Sequence, residues 1–407
     1  MYHPRQLEAT ARSLFNSFPV LTLTGPRQSG KTTLVRHLFP ELAYLNLEEP
    51  QIRALMAADP IAFLDAHPQG MLLDEIQRLP ELLSHIQARV DARPGNGQFV
   101  ITGSEQTSLR SGVSQSLAGR TAMLRLLPLS MAELDIANSG MSVEELLFSG
   151  FYPRIQLEHQ PPYHAHSAYI QTYLERDLRQ QGEIRLMSTF QSFLALCAGR
   201  VGQLLNLHSM ANELGTATST LRNWISLLED ACIVFLLQPW HANLGKRLVK
   251  TPKLYFHDVG LASFLLGIEH ASQLNNHPLK GNLFENLCVS EALKHRYNRG
   301  LRSNLFFYRD STGNEVDLVL ENVAGPLLLE IKSSRTLHQD SVKGMAAFMR
   351  ATGQSNPQRV IVYQGESRPS AFGARAIHHS ELDRILAESN PGNPAGTPDS
   401  PRVSLDS

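Results

Sequence analysis

The sequence predicts an α/β protein built from three folded units, and three observations carry that reading. Over residues 1–135, short apolar runs without polar alternation are separated by helical patterns, as in a buried parallel sheet. Over 136–270 the pattern is mainly helical and includes a helix, a break at Gly215 and a second helix. Over 275–388 strands and helices return in an α/β order, and the Pro-, Gly-, Ser- and Asp-rich stretch 389–407 is expected to be a disordered tail. The length agrees, because 407 residues exceed what one ordinary core holds.

In the first unit, strands are expected at 20–24, 43–47, 71–74, 99–102 and 122–126. The first runs into Gly25-Pro26-Arg27-Gln28-Ser29-Gly30-Lys31-Thr32, which matches GxxxxGK[ST], and a helix opens at Thr33. A strand before and a helix after are the context in which this pattern cradles phosphates. Glycines let the backbone turn and approach phosphate oxygens, while loop amides and the helix N-terminus supply positive potential. Lys31 is expected to reach the β- and γ-phosphates and the Thr32 hydroxyl to ligate Mg²⁺, so ATP and Mg²⁺ are the expected ligands. The apolar strand 71–74 ends in Asp74-Glu75. Asp74 is expected to hold Mg²⁺ through water and Glu75 to polarise the attacking water. The strand 99–102 ends in Gly103-Ser104, and Ser104 is the first choice, Thr102 the second, for a polar group that orients that water.

In the second unit, helices are expected at 190–198, 207–214 and 218–229, and β-like segments at 231–237 and 253–257. The last four have the order of a winged helix-turn-helix. Ser219, Thr220, Arg222 and Asn223 fall on the face that reads or grips DNA in such motifs, while Trp224 reads as core. Lys246 and Arg247, with Lys250 and Lys253, would add phosphate contacts from the wing. DNA is therefore the expected partner; a protein-packing module is the other reading of the same pattern.

In the third unit, a helix at 282–297 precedes strands near 305–308, 316–320, 327–331 and 360–363, with helices at 340–351 and 380–388. Glu330 and Lys332 point to one face of a strand, because side chains alternate with period two. Asp317 on a neighbouring strand can meet Glu330, and Glu285 lies on the preceding helix; Gln339 is a further polar candidate. Carboxylates so grouped can chelate Mg²⁺, with a Lys beside them to activate water. Asp317 and Glu330-Ile331-Lys332 resemble the core signature of the PD-(D/E)xK nucleases, so a nuclease-like domain is expected here.

The order of phosphate loop, Asp-Glu strand and polar-ended strand resembles an AAA+ ATPase. More narrowly, GPRQSGKTTL, LLDEIQRLPEL, ITGSEQ, LAGRTAMLRLLPLSMAEL and GFYP are similar to the AAA_14 ATPases. KTPKLYFHDVGLASFLLG and KGNLFENLCVSEALK resemble their C-terminal portion, DUF4143. The resemblance implies homo-oligomeric rings, hexamers among them, in which an Arg of one subunit reaches the neighbour's γ-phosphate. Arg120 stands at that position, with Arg110 as the alternative. A planar, permanently charged group suits developing phosphoryl charge. The segment 173–177 also matches the family.

Composition narrows the function classes. The formal net charge is −1, so any contact with DNA has to come from a local patch. The three cysteines, Cys197, Cys232 and Cys288, are far apart, and the histidines are scattered, which argues against a disulfide framework or a zinc site. No run of about 18 apolar residues and no apolar leader is present, so no membrane partner and a cytoplasmic location are expected. The leading function is ATP hydrolysis coupled to the handling of DNA, branched or broken duplex included. The rivals are an ATP-regulated metal-dependent nuclease and a nucleotide-dependent switch for defence or toxin–antitoxin control.

Overall fold

The computed structural model describes residues 2–104, 112–113, 116–174, 187–240, 250–322 and 325–389. The first sheet is parallel throughout: β1 (Val20–Thr24), β2 (Ala43–Asn46), β3 (Met71–Asp74), β4 (Phe99–Gly103) and β5 (Thr121–Arg125), in the order β2-β3-β4-β1-β5. β1, β3 and β4 are buried along their whole length, while the edge strand β5 alternates between buried and more exposed positions. Helices on both faces bury a central strand on two sides, which is why those three read as unbroken apolar runs. Parallel strands also end together. Thr24, Asp74 and Gly103 therefore lie along one edge of the sheet, where the loops that follow them converge.

The helical segment matches its expected pattern at Met187–Gly199, Leu207–Leu214 and Thr218–Asp230. Gly215 closes the second of these in the left-handed conformation, with a φ of 61° that glycine adopts without strain. Phe190 and Phe193 pack against Trp224, ring centroids 5.3 and 5.4 Å away, so Trp224 is core.

The second sheet is larger than the sequence suggested. β6 (Val234–Pro239) and β7 (Lys253–Phe256) pair antiparallel, as a wing does. β6 then continues in parallel with β8 (Leu305–Arg309), through Gln238 and Phe306. The pair thus forms the edge of an eight-stranded sheet, with β9 (Glu315–Leu320), β10 (Leu327–Lys332), β11 (Gln358–Tyr363), β12 (Arg368–Ala371) and β13 (Ala374–His378), in the order β12-β13-β11-β10-β9-β8-β6-β7. One apolar core runs from Leu127 to Leu386.

The helix Lys280–Asn298 passes through that core, and its buried Asn286, Ser290, Glu291, Lys294 and His295 are matched to backbone or charge. Asn286 bonds both the N–H and the C=O of Phe256, at 2.6 and 3.0 Å. Glu291 accepts from the Met131 N–H at 2.7 Å, and Lys294 donates to Glu291 and to the Leu129 carbonyl at 2.6 and 2.8 Å. A buried polar side chain without a partner costs free energy, so these bonds fix how the helix sits against the segment leaving the first sheet.

Candidate active site

The phosphate loop leaves β1 with Gly25 at φ 152° and reaches the helix Lys31–Leu38 through Gly30 at φ 93°. A Cβ at position 25 would sit 2.1 Å from the Leu126 carbonyl oxygen, so only glycine fits there. Gln28, at φ 62°, is a non-glycine residue in the same left-handed region. Lys31 is buried and donates to the carbonyls of Gly25 and Pro26, each at 2.9 Å. Burial pushes its ammonium pKa down, although Glu75 and Asp74 oppose that shift. Its charge is thus held inside the loop by neutral oxygens that an anion can outcompete.

Asp74 is the hub of the site. Its Oδ2 accepts from the Thr32 hydroxyl at 2.7 Å and from the Tyr44 hydroxyl at 3.0 Å, and its Oδ1 accepts from Thr102. Hydroxyl and carboxylate oxygens set side by side are hard donors of the kind Mg²⁺ takes, so Thr32 and Asp74 fit that ion. Glu75 follows in the left-handed conformation, at φ 57°. Its Oε2 accepts from Ser104 at 3.1 Å and from Gln77, and Gln77 also donates to Ser104 at 3.1 Å. The turn after β3 brings the Glu75 carboxylate to Ser104 and Gln77, while its N–H donates at 3.3 Å to the Thr102 hydroxyl that bonds Asp74.

Several partners lay outside the sequence reading. Tyr44 and Gln77 hold the two carboxylates. Arg5, buried, donates to the Ser29 carbonyl at 2.9 Å and the Leu127 carbonyl at 2.8 Å and pairs with Glu133 at 3.0 Å. It braces the phosphate loop from behind. A cavity of about 380 Å³ opens beside Gly30 and Thr33, bounded by Tyr2, Arg5, Pro153 and Leu157. Arg27 pairs with Glu48 at 3.4 Å.

Arg120 lies elsewhere. Its carbonyl accepts from the Val20 N–H at 3.1 Å, so it sits at the start of β5, opposite the edge that carries the phosphate loop. Its guanidinium is bidentate to Asp91, at 2.6 and 2.8 Å. Arg110 and the segment 175–177 lie outside the described residues, as do Lys246 and Arg247. Ser219, Arg222 and Asn223 are exposed on one face of the helix Thr218–Asp230, and Thr220 is half-buried. Lys250 is exposed, but Lys253 is not a wing contact: it is 2 % exposed and turned into the C-terminal sheet, where carboxylates hold it.

The C-terminal acidic residues do gather, with a changed membership. Glu285 and Asp317 come together with Glu315, their oxygens within 4.8 Å of one another. Glu330 instead pairs with Lys332 at 2.6 Å, and Asp317 accepts from the Ile331 N–H at 2.7 Å. Burial and the Asp317 charge push the Glu330 carboxyl up to about 8, and its Oε2 is buried without a partner. Gln339 opens a short turn, Gln339–Val342, before the helix Lys343–Thr352.

Three families match the chain. An AAA domain (AAA_14) covers residues 17–135, a domain of unknown function (DUF8612) covers 141–272, and a second (DUF4143) covers 280–381. The uncharacterized protein Rv2008c of Mycobacterium tuberculosis is 33 % identical over 373 residues, covering 89 % of this chain and 80 % of that one. The uncharacterized protein Mb2031c of Mycobacterium bovis matches to the same extent. Among solved structures, the Walker-type ATPase PABY2304 of Pyrococcus abyssi aligns with 64 % of this chain and 94 % of that one, at 15 % identity and a TM-score of 0.43. On its sequence relatives and on the two segments that flank its middle, the chain belongs to the family of AAA-domain proteins that carry a C-terminal DUF4143 domain.

Proposed function

We propose that this protein hydrolyses ATP at the phosphate loop and couples the turnover to the handling of DNA, working in the cytoplasm as a homo-oligomeric ring. One observation carries the reading of hydrolysis. Lys31, Thr32, Asp74 and Glu75 converge on one edge of a parallel sheet, and Asp74 and Glu75 are each steadied by separate hydroxyl or amide donors. Mere binding needs the loop and Lys31. A second carboxylate with its own support is what an attacking water requires.

The chemistry then assigns itself to this chain's groups. The loop from Gly25 to Thr33 receives the phosphates, through the backbone N–H groups of its residues other than Pro26. Lys31 exchanges two carbonyls for phosphate oxygens of higher charge. Thr32 and Asp74 would hold Mg²⁺, which supplies charge neutralisation of the phosphates when bound. Glu75 orients a water for in-line attack on the γ-phosphorus and takes its proton, and Ser104 and Gln77 keep the Glu75 carboxylate aimed. The products are ADP and inorganic phosphate. The cavity beside Gly30 and Thr33 is placed for the nucleoside half of ATP.

The DNA reading rests on the exposed row Ser219, Arg222 and Asn223 on the second helix of the helix-turn-helix pair. ATP turnover is to be measured alone and with single-stranded, duplex and four-way-junction DNA. Stimulation by one of these supports DNA handling. Equal rates in all four conditions would leave a nucleotide-dependent switch with protein partners as the better account.

A further inference from the structure

A nuclease-like fold implies a divalent ion between its carboxylates, and the cluster of Glu285, Glu315 and Asp317 does not fit one. Glu285, Glu315 and Asp317 form the only group of three metal-capable side chains this close among the described residues. A fourth side chain has already entered it. The Lys253 ammonium donates to Glu285 Oε1 at 2.8 Å and pairs with Glu315, and it lies 5.5 Å from the centroid of the Phe307 ring. The Tyr255 hydroxyl takes the same Glu285 oxygen at 2.5 Å. Arg309 meets the other oxygen of Glu315 at 2.9 Å, and Lys332 lies 4.0 Å from Asp317 and 2.6 Å from Glu330.

The charges nearly balance without any ion. Three carboxylates, Glu285, Glu315 and Asp317, with the Glu330 carboxyl beside them held up near 8, face three permanent or near-permanent cations, Lys253, Arg309 and Lys332. A divalent ion among the first three oxygens would stand within a few ångströms of the Lys253 ammonium. Beside the buried Lys253 ammonium, like charges repel strongly. Lys253 cannot simply swing aside, because it is 2 % exposed and the strand that carries it is buried along its length. It also arrives from β7, outside the segment that matches DUF4143. The acidic cluster thus looks complete within its own domain and is filled from the neighbouring one.

We infer that Lys253 is the resident cation of this cluster, standing where a divalent ion would otherwise bind. The C-terminal domain then takes up no Mg²⁺ or Mn²⁺ through Glu285, Glu315 and Asp317 and performs no metal-dependent cleavage there. The cluster instead fastens β7, and the segment that carries the helix-turn-helix, to the C-terminal sheet.

The test is Mn²⁺ titration of the full chain without nucleotide, read by electron paramagnetic resonance of the free ion. All proteins carry Asp74→Asn so that the phosphate-loop site is silent, and thermal melts establish folding. The parent chain should bind no Mn²⁺ that Asp317→Asn removes. Lys253→Met should gain one Mn²⁺ per chain, at least about tenfold tighter than any uptake by the parent, and adding Asp317→Asn should abolish it. An Mn²⁺ site in the parent that Asp317→Asn removes would overturn the inference, as would a folded Lys253→Met chain that gains none. If Lys253→Met does not fold, the comparison of the parent with Asp317→Asn decides alone.

Discussion

Lys31 carries its charge into a place where two carbonyls replace water, and this makes its removal different in kind from the removal of Glu75. Lys31 is expected to meet phosphate charge already present in bound ATP, whereas Glu75 acts only as water attacks. Lys31→Ala should therefore weaken ATP binding by about 100-fold or more, since charged hydrogen bonds are worth ~1.5–3 kcal/mol each. Glu75→Gln should leave affinity nearly unchanged and lower kcat by about 100- to 10,000-fold. Nucleotide titration and phosphate release separate the two, and normal turnover by Glu75→Gln would remove the role assigned to it. The motif residues were legible because the loop is a local object, eight residues long from Gly25 to Thr32. Tyr44, Gln77 and Arg5 were not. Tyr44 and Arg5 reach the site from distant segments, and Gln77 folds back on Glu75 through the short turn that follows it, so a side-chain contact and not a motif position places each of them.

At the scale of elements, what the sequence disclosed follows burial. β1, β3 and β4 are covered on both faces and read as apolar runs, while β12 and β13 are short, and β12 is polar and largely exposed, so both escaped notice. β6 and β7 were visible as strands, but their membership of the C-terminal sheet was not, because pairing between distant strands leaves no periodicity. The helix Thr218–Asp230 turns Leu221, Trp224, Ile225 and Leu228 inward and leaves Arg222 exposed. Arg222→Glu should thus spare the fold and DNA-free ATP turnover while cutting DNA affinity by about tenfold, the scale of one charged phosphate or base contact. Unchanged affinity at low salt would argue that the pair of helices packs against protein instead.

The turn His379–Glu381 that leads into the last helix, Leu382–Glu388, holds a buried imidazole. Burial and the adjacent His378, ring centroids 4.1 Å apart, push His379 down from 6.5 to about 4. The unfolded chain therefore binds this proton first as pH falls. The contribution of neutral His379 to stability is full above pH 6.5 and is lost progressively between there and about 4. It amounts to about 3 kcal/mol, from roughly 1.4 kcal/mol per unit of pKa difference. Urea unfolding at pH 7 and pH 4.5 should show His379→Gln losing less stability on acidification than the parent, by ~2–3 kcal/mol. An equal loss in both would place the acid sensitivity elsewhere, in other buried imidazoles such as His257.

Over the whole molecule, the position of Arg120 bears on assembly. It stands at the start of β5, and the phosphate loop follows the end of β1, so a five-residue strand, roughly 15 Å, separates them within one chain. Arg120 therefore cannot serve its own phosphate loop; a catalytic role requires the loop of a neighbour. Its bond to Asp91 does not forbid this, since both side chains are substantially exposed and such surface pairs contribute little. In the proposed ring, a heterologous contact would have to set one subunit's β5 start against the next subunit's loop at every interface. Arg120→Ala and Lys31→Ala should each be nearly inactive alone. Mixed in equal amounts, they should recover about a quarter of parental turnover, because one interface in four joins an intact loop to an intact Arg when subunits pair at random around a ring. The mixture is to be assayed for phosphate release after subunit exchange is verified with two differently labelled chains. Mixed assemblies with no recovered turnover would reduce Arg120 to the local partner of Asp91 and return the search for the trans-acting cation to the other arginines.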